Sequence, residues 1–174
     1  MKQLLFAVLF LGATACATWT PVTAVAVMEP RSESQVKGTV TFTELENGGL
    51  SVRLDLTGVP EGVHGFHVHE KGDCSAPDAT SAGPHFNPHS MHHAGPADVE
   101  RHAGDFGNVV TPASGIVKAE LVMAGVSLKD GAIDNVIGRG VILHAKRDDL
   151  TTQPTGDAGG RIACGVVTLA GASK

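Results

Sequence analysis

Between residues 36 and 56 the chain alternates apolar and polar positions with a period of two. Val36, Gly38, Val40 and Phe42 interleave with Lys37, Thr39, Thr41 and Thr43, and Leu50, Val52, Leu54 and Leu56 interleave with Ser51, Arg53 and Asp55. Successive side chains of a strand point to opposite faces, so this pattern predicts two strands with one buried face each. The intervening "ENGG" at 46–49 is turn chemistry that joins them as a hairpin. Further strands are predicted over 23–29, 63–69, 106–110, 116–122, 141–145 and 162–169. Eight short strands separated by turn signals predict an all-β fold, an eight-stranded antiparallel barrel or sandwich.

Two stretches, 70–105 and 146–161, do not alternate and are rich in Gly, Pro, Asp and polar residues. Loops of that length are uncommon in a folded domain unless they carry function or are disordered, and the histidines of the first decide for function. With 22 Gly, 9 Pro, no Tyr and 4% aromatic residues, the composition suits short elements joined by turns, not long helices.

The length of 174 residues accommodates one domain with a proper core. Lys2 precedes an apolar run from Leu4 to Ala13, followed by the small residues Ala15 and Ala17. The run is too short to span a bilayer and Ala-x-Ala is a cleavage signature. Residues 1–15 are therefore read as a signal peptide cleaved near 15–17, 16–23 as a short linker and 24–174 as the folded domain, and export is expected. Cleavage after Ala15 would leave Cys16 first, and "GATAC" loosely matches a lipoprotein box, which leaves open a lipid anchor at Cys16 or an unmodified cysteine.

Removal of residues 1–15 takes Lys2 and no acid, so 12 basic against 18 acidic residues give a net charge of −6 with histidine neutral. Nucleic acid and anionic membrane surfaces are poor partners for such a chain. The remaining cysteines, Cys74 and Cys164, form an even pair in an oxidising compartment, so one disulfide is expected.

In "GFHVHEKGDC", His67 and His69 lie two apart in a predicted strand, so both imidazoles project from one face while Phe66 and Val68 project from the other. Alone, such a pair reads as an ordinary polar strand face. The chain continues with "GPHFNPHSMHHAGP" and "RHAGDFGN", which supply His85, His93, His102 and Asp105, and "VILHAK" presents His144 on the parity opposite Val141, Leu143 and Ala145. Imidazole suits copper and zinc, and one carboxylate among imidazoles suits tetrahedral zinc. The donors exceed the needs of one ion, so two metals are predicted.

These residues resemble the copper/zinc superoxide dismutase family. The resemblance is carried by "GFHVHEKGDC", "SAGPHFNP", "HHAGP", "RHAGDFGN", "HAKRDDL" and "GGRIACGVV", in the family's order, over about residues 24–170. It implies a Greek-key barrel with two long functional loops, the first building the zinc site and the second walling the channel to copper. It implies one copper and one zinc per subunit, with copper bound by His67, His69, His85 and His144 and zinc by His85, His93, His102 and Asp105. His85 would bridge the metals and carry a proton. Arg161 would guide the anionic substrate, Asp148 would hydrogen-bond ligands of both metals, and Cys74 would pair with Cys164. His64, of opposite parity to His67, would brace the strand carrying His144. The implied reaction is dismutation of two superoxide anions to dioxygen and hydrogen peroxide.

Cys74 lies further ahead of His85 than in eukaryotic members, and the loop from His144 to Arg161 is short. Together with the leader, these departures resemble the bacterial exported branch and imply a periplasmic location. They do not carry over the eukaryotic dimer interface, so a homodimer stays open. His89, Met91 and His92 are surplus to the ligand set and are expected on an exposed loop, with copper capture, Met91 suiting Cu(I), as the sharper alternative. The rival function is an exported copper/zinc-binding or copper-delivery protein of the same fold without turnover. Such a protein would be expected to lack a copper ligand or the arginine, whereas His67, His69, His85, His144 and Arg161 are all present. A zinc hydrolase is a weaker rival, because a site of four imidazoles offers no catalytic carboxylate.

Overall fold

A computed structural model describes residues 19–171; the expected leader, Cys16 and the start of the expected linker lie outside them. The described strands are β1 (Thr23–Pro30), β2 (Lys37–Glu44), β3 (Leu50–Thr57), β4 (Gly62–His69), β5 (Asp105–Thr111), β6 (Val117–Met123), β7 (Gly140–His144), β8 (Arg161–Val166) and the short β9 (Thr168–Leu169). All ladders are antiparallel, in the order β5-β4-β7-β8-β1-β2-β3-β6. β1 serves both halves: Thr23–Met28 pairs with β2, while Glu29 and Pro30 lie opposite Cys164 and Ala163 of β8. The ends of the order, β5 and β6, are consecutive in sequence and approach without a shared ladder, so the barrel is nearly closed.

The alternation at 36–56 becomes the β2–β3 hairpin, with Lys37 opposite Thr57 and Glu44 opposite Leu50. Val40, Phe42, Leu50, Val52, Leu54 and Leu56 are fully buried with Ala24 and Ala26 of β1. A slip of one residue would turn that whole set outward, which fixes the register. The single strand expected over 162–169 is corrected: it breaks at the buried Val167. That residue leaves the ladder to donate its N–H to Arg139 O (3.0 Å) and accept from Gly138 N (2.8 Å), and β9 crosses to pair with β1.

β4 and β7 are buried on both faces, from His64 to His69 and from Gly140 to His144. Phe66 and Val68 enter the core, Phe66 meeting the Phe106 ring edge-on at 6.0 Å. The opposite face is covered by the two long loops. Segment 70–104 is stitched to β4 where Val68 N donates to Gly104 O (3.0 Å) and Phe86 N to Val68 O (2.9 Å). A Cβ at Gly104 would collide with Val68 O, so only glycine permits that approach. Segment 145–160 returns on itself through Ala145 N to Gly160 O (2.7 Å) and Lys146 N to Ala158 O (2.9 Å).

The Cys74–Cys164 disulfide, with Cα atoms 5.8 Å apart, ties the first loop to β8 beside buried Ala79, Ala82 and Ile142. It spans a sequence separation of 90 residues. For a loop of that size chain entropy gives a ceiling of about 4–5 kcal/mol. The double variant Cys74→Ser/Cys164→Ser should lose up to that amount in urea unfolding and be cut faster by protease within 70–104. An unchanged midpoint and cleavage rate would show that contacts with β4 alone hold the loop.

Candidate metal centre

The strands bring two sets of donors together. His67 and His69 of β4, His85 of the first loop and His144 of β7 converge so that one ligand atom from each lies within 4.8 Å of the others, and so do His85, His93, His102 and Asp105. All seven residues are buried, and His85 belongs to both sets.

Hydrogen-bond acceptors outside the clusters hold the proton on the ring nitrogen that faces them and leave the other nitrogen free for a metal. His67 Nε2 donates to Asp148 Oδ2 (2.8 Å), which leaves the Nδ1 lone pair inside the cluster. His69 Nδ1 donates to Gly83 O (2.8 Å) and His144 Nδ1 to Gly159 O (3.2 Å), so their Nε2 atoms, 3.4 Å apart, face inward. His85 turns Nε2 to the same space and Nδ1 to Asp105 Oδ1 (2.8 Å).

The second cluster is built on Asp105. Its Oδ1 lies 2.8, 2.9 and 3.2 Å from Nδ1 of His85, His93 and His102, while Oδ2 accepts the backbone N–H groups of Ala94 (3.2 Å) and His102 (3.0 Å). His93 Nε2 donates to Asp148 Oδ1 (2.9 Å). Its Nδ1, though close to Asp105, is not oriented to hydrogen-bond it. His67 Nδ1, His85 Nε2 and His93 Nδ1 are therefore buried polar atoms without hydrogen-bond partners. Such atoms are costly unless a proton or a metal satisfies them, and the donor sets fit copper for four nitrogens and zinc for three nitrogens and a carboxylate.

The charges differ between clusters. Burial, aided by neighbouring imidazoles and Arg161, holds His69 and His144 well below the usual range; burial also lowers His67 despite Asp148 and His85 to about 4 despite Asp105. Burial opposes charge on His93 too, but Asp105 and Asp148 on its two nitrogens raise it to about 9. Asp105 and Asp148 stay ionised far below the carboxylate range because imidazole donors outweigh the penalty of burial.

Asp148 joins the clusters through His67 and His93. Arg161 lies directly opposite His144 across the β7–β8 ladder, its guanidinium fixed on Ala79 O (2.7 Å) and Gly83 O (2.8 Å). His64 is no part of either cluster: its Nδ1 bonds His144 O (2.9 Å) and its Nε2 Pro60 O (2.8 Å). His89, Met91 and His92 are exposed.

Sequence reading missed several supports. Asn108 holds the Asp148 backbone from both sides (2.8 and 2.9 Å), and Gln153 does the same for His93 (2.8 and 2.7 Å). Gly156, at φ +66°, lies so close that a Cβ there would strike Asp148 Oδ1. The acceptors Gly83 O and Gly159 O are backbone atoms, which leave no side-chain signal in the sequence.

Residues 36–167 match the family model described as copper/zinc superoxide dismutase (SODC). A superoxide dismutase [Cu-Zn] of Yarrowia lipolytica (strain CLIB 122 / E 150) is 46% identical over 156 residues, 85% of this chain and 98% of that protein. The crystal structure of the clock protein EA4 superposes with a TM-score of 0.78 at 41% identity, covering 90% of this chain and 99% of that one. Barrel, paired donor clusters and sequence similarity agree, and the chain belongs to the copper/zinc superoxide dismutase family.

Proposed function

We propose that the chain dismutates superoxide with copper held by His67 Nδ1, His69 Nε2, His85 Nε2 and His144 Nε2, and zinc by Nδ1 of His85, His93 and His102 and Oδ1 of Asp105. The observation that carries this assignment is His85, whose two ring nitrogens face the two clusters. Bound copper supplies the one-electron redox chemistry by which two superoxide anions and two protons become dioxygen and hydrogen peroxide, while zinc, which has no redox chemistry, contributes charge.

The chain's own residues do the rest. With Nδ1 of His85 turned to the Asp105 cluster, Nε2 is the atom that can hold a proton and pass it to the forming peroxide. Arg161 attracts the anion: a chain of net charge −5 repels superoxide at long range, so capture depends on local positive potential, a principle for which superoxide dismutases are themselves a standing example. Its two carbonyl anchors hold the guanidinium beside His144 and His69. The complete donor set together with Arg161 supports turnover over metal binding alone.

The leader pattern and the Cys74–Cys164 disulfide support export, to the periplasm of a bacterium. Fractionation and mass spectrometry of the full chain expressed in a bacterium should find a periplasmic protein beginning at residues 16–18, with added lipid mass only if Cys16 is anchored. An intact Met1 chain in the cytoplasm would refute export.

Reconstituted with both metals, the protein should remove superoxide. In the same assay Arg161→Ala should lower kcat/KM roughly tenfold and flatten its dependence on ionic strength with both metals retained. Inactivity of the fully loaded wild type would favour the binding-protein reading, and an unchanged salt slope would remove Arg161 from substrate capture. Asp148→Ala should weaken both metals by roughly 10–100-fold in chelator competition, since it braces one ligand of each; loss of only one metal would contradict the shared brace.

A further inference from the structure

Arg101 has no part in the reaction described above, yet it is buried (8% exposed) and no carboxylate among the described residues pairs with it. A buried charge without a counter-ion is costly and persists only when its donors are satisfied. Here backbone carbonyls satisfy it: Nη1 donates to His102 O (2.7 Å) and Ala103 O (3.3 Å), and Nη2 to Ala124 O (2.6 Å). Ala124 directly follows β6, while His102 and Ala103 belong to the turn that enters β5, so one guanidinium spans two separate segments.

That turn carries two of the four donors on the zinc side. His102 O also accepts Asp105 N (3.1 Å), and His102 N donates to Asp105 Oδ2 (3.0 Å), closing the segment between the two ligands. The carbonyl that Arg101 holds most closely within the turn is the one that closes it.

We propose that Arg101 is a positioning residue for zinc: it clamps the His102–Asp105 turn to the end of β6, so that His102 Nδ1 and Asp105 Oδ1 stand in place before the cation arrives. The proposal rests on the zinc assignment made above. The planar fork suits it to this task, because three carbonyls in two segments need donors pointing in different directions at once, whereas lysine offers a single point charge on a flexible stem.

Wild type, Arg101→Lys and Arg101→Ala, each copper-loaded, can be compared by zinc competition against a chromophoric chelator. Co(II) placed in the zinc site reports ligand geometry through its visible absorption. Arg101→Ala should bind zinc roughly 10–100-fold more weakly and show altered Co(II) bands, with Arg101→Lys intermediate in both. Wild-type affinity and bands in Arg101→Ala would overturn the proposal, even if the variant melted at a lower temperature, because the residue would then serve the fold alone. Should Arg101→Ala not fold, Arg101→Lys decides, and unchanged zinc affinity and bands overturn the clamp. A wild type that takes up no zinc at these four residues overturns the zinc assignment, and the clamp with it.

Discussion

One carboxylate holds the centre together. Asp148 is buried, accepts from an imidazole of each cluster and receives Leu150 N at 2.7 Å, while Asn108 of β5 secures its backbone. A buried anion is expensive until its lone pairs are met, and breaking one contact of such a group costs more than the contact itself contributes. Its demand for donors sets the tautomers of His67 and His93 and so aims their remaining nitrogens into the two clusters. Strand β4, strand β5 and both long loops thus meet at a single residue.

The barrel and the loops obey different energetics. Burial of each large inward side chain in β2 and β3 is worth roughly 1.5–3 kcal/mol, enough in sum to fix strand register without help from the loops. The loops have little apolar core of their own and lie on the barrel through backbone hydrogen bonds, the disulfide and the polar web around Asp105 and Asp148. A hydrogen bond contributes on the order of 1 kcal/mol net. Metal ions that collect donors from β4, β5, β7 and the first loop would therefore couple these weakly held segments to a barrel that does not need them.

What the sequence discloses follows the same division. Alternation revealed β2 and β3 because each has one wet and one dry face. It was silent on the burial of His67 and His69, since their cover comes from segments more than a dozen residues away whose contacts leave no periodic trace. Spacing marked the imidazoles and Asp105, but which nitrogen each offers depends on Gly83 O, Gly159 O and Asp148, partners that only the folded chain supplies. The break at Val167 was equally invisible: the residue is as apolar as its strand neighbours, and only the carbonyl of Arg139 and the N–H of Gly138 draw it out of the ladder.

Charge separates the tasks of the two clusters. The carboxylate Asp105 sits wholly on the zinc side, where it offsets much of a dication's charge and keeps basic imidazoles close. The copper side has four imidazoles held neutral by burial and no carboxylate in direct contact with their inward nitrogens, so a metal there would keep more of its positive charge than one beside Asp105. Arg161 adds a further cation at the same place. An acidic chain thereby presents a local potential opposite in sign to its net charge, and attraction of an anion depends on where Asp105 is placed as much as on where Arg161 is. Moving that carboxylate across His85 would leave the net charge unchanged and weaken the attraction.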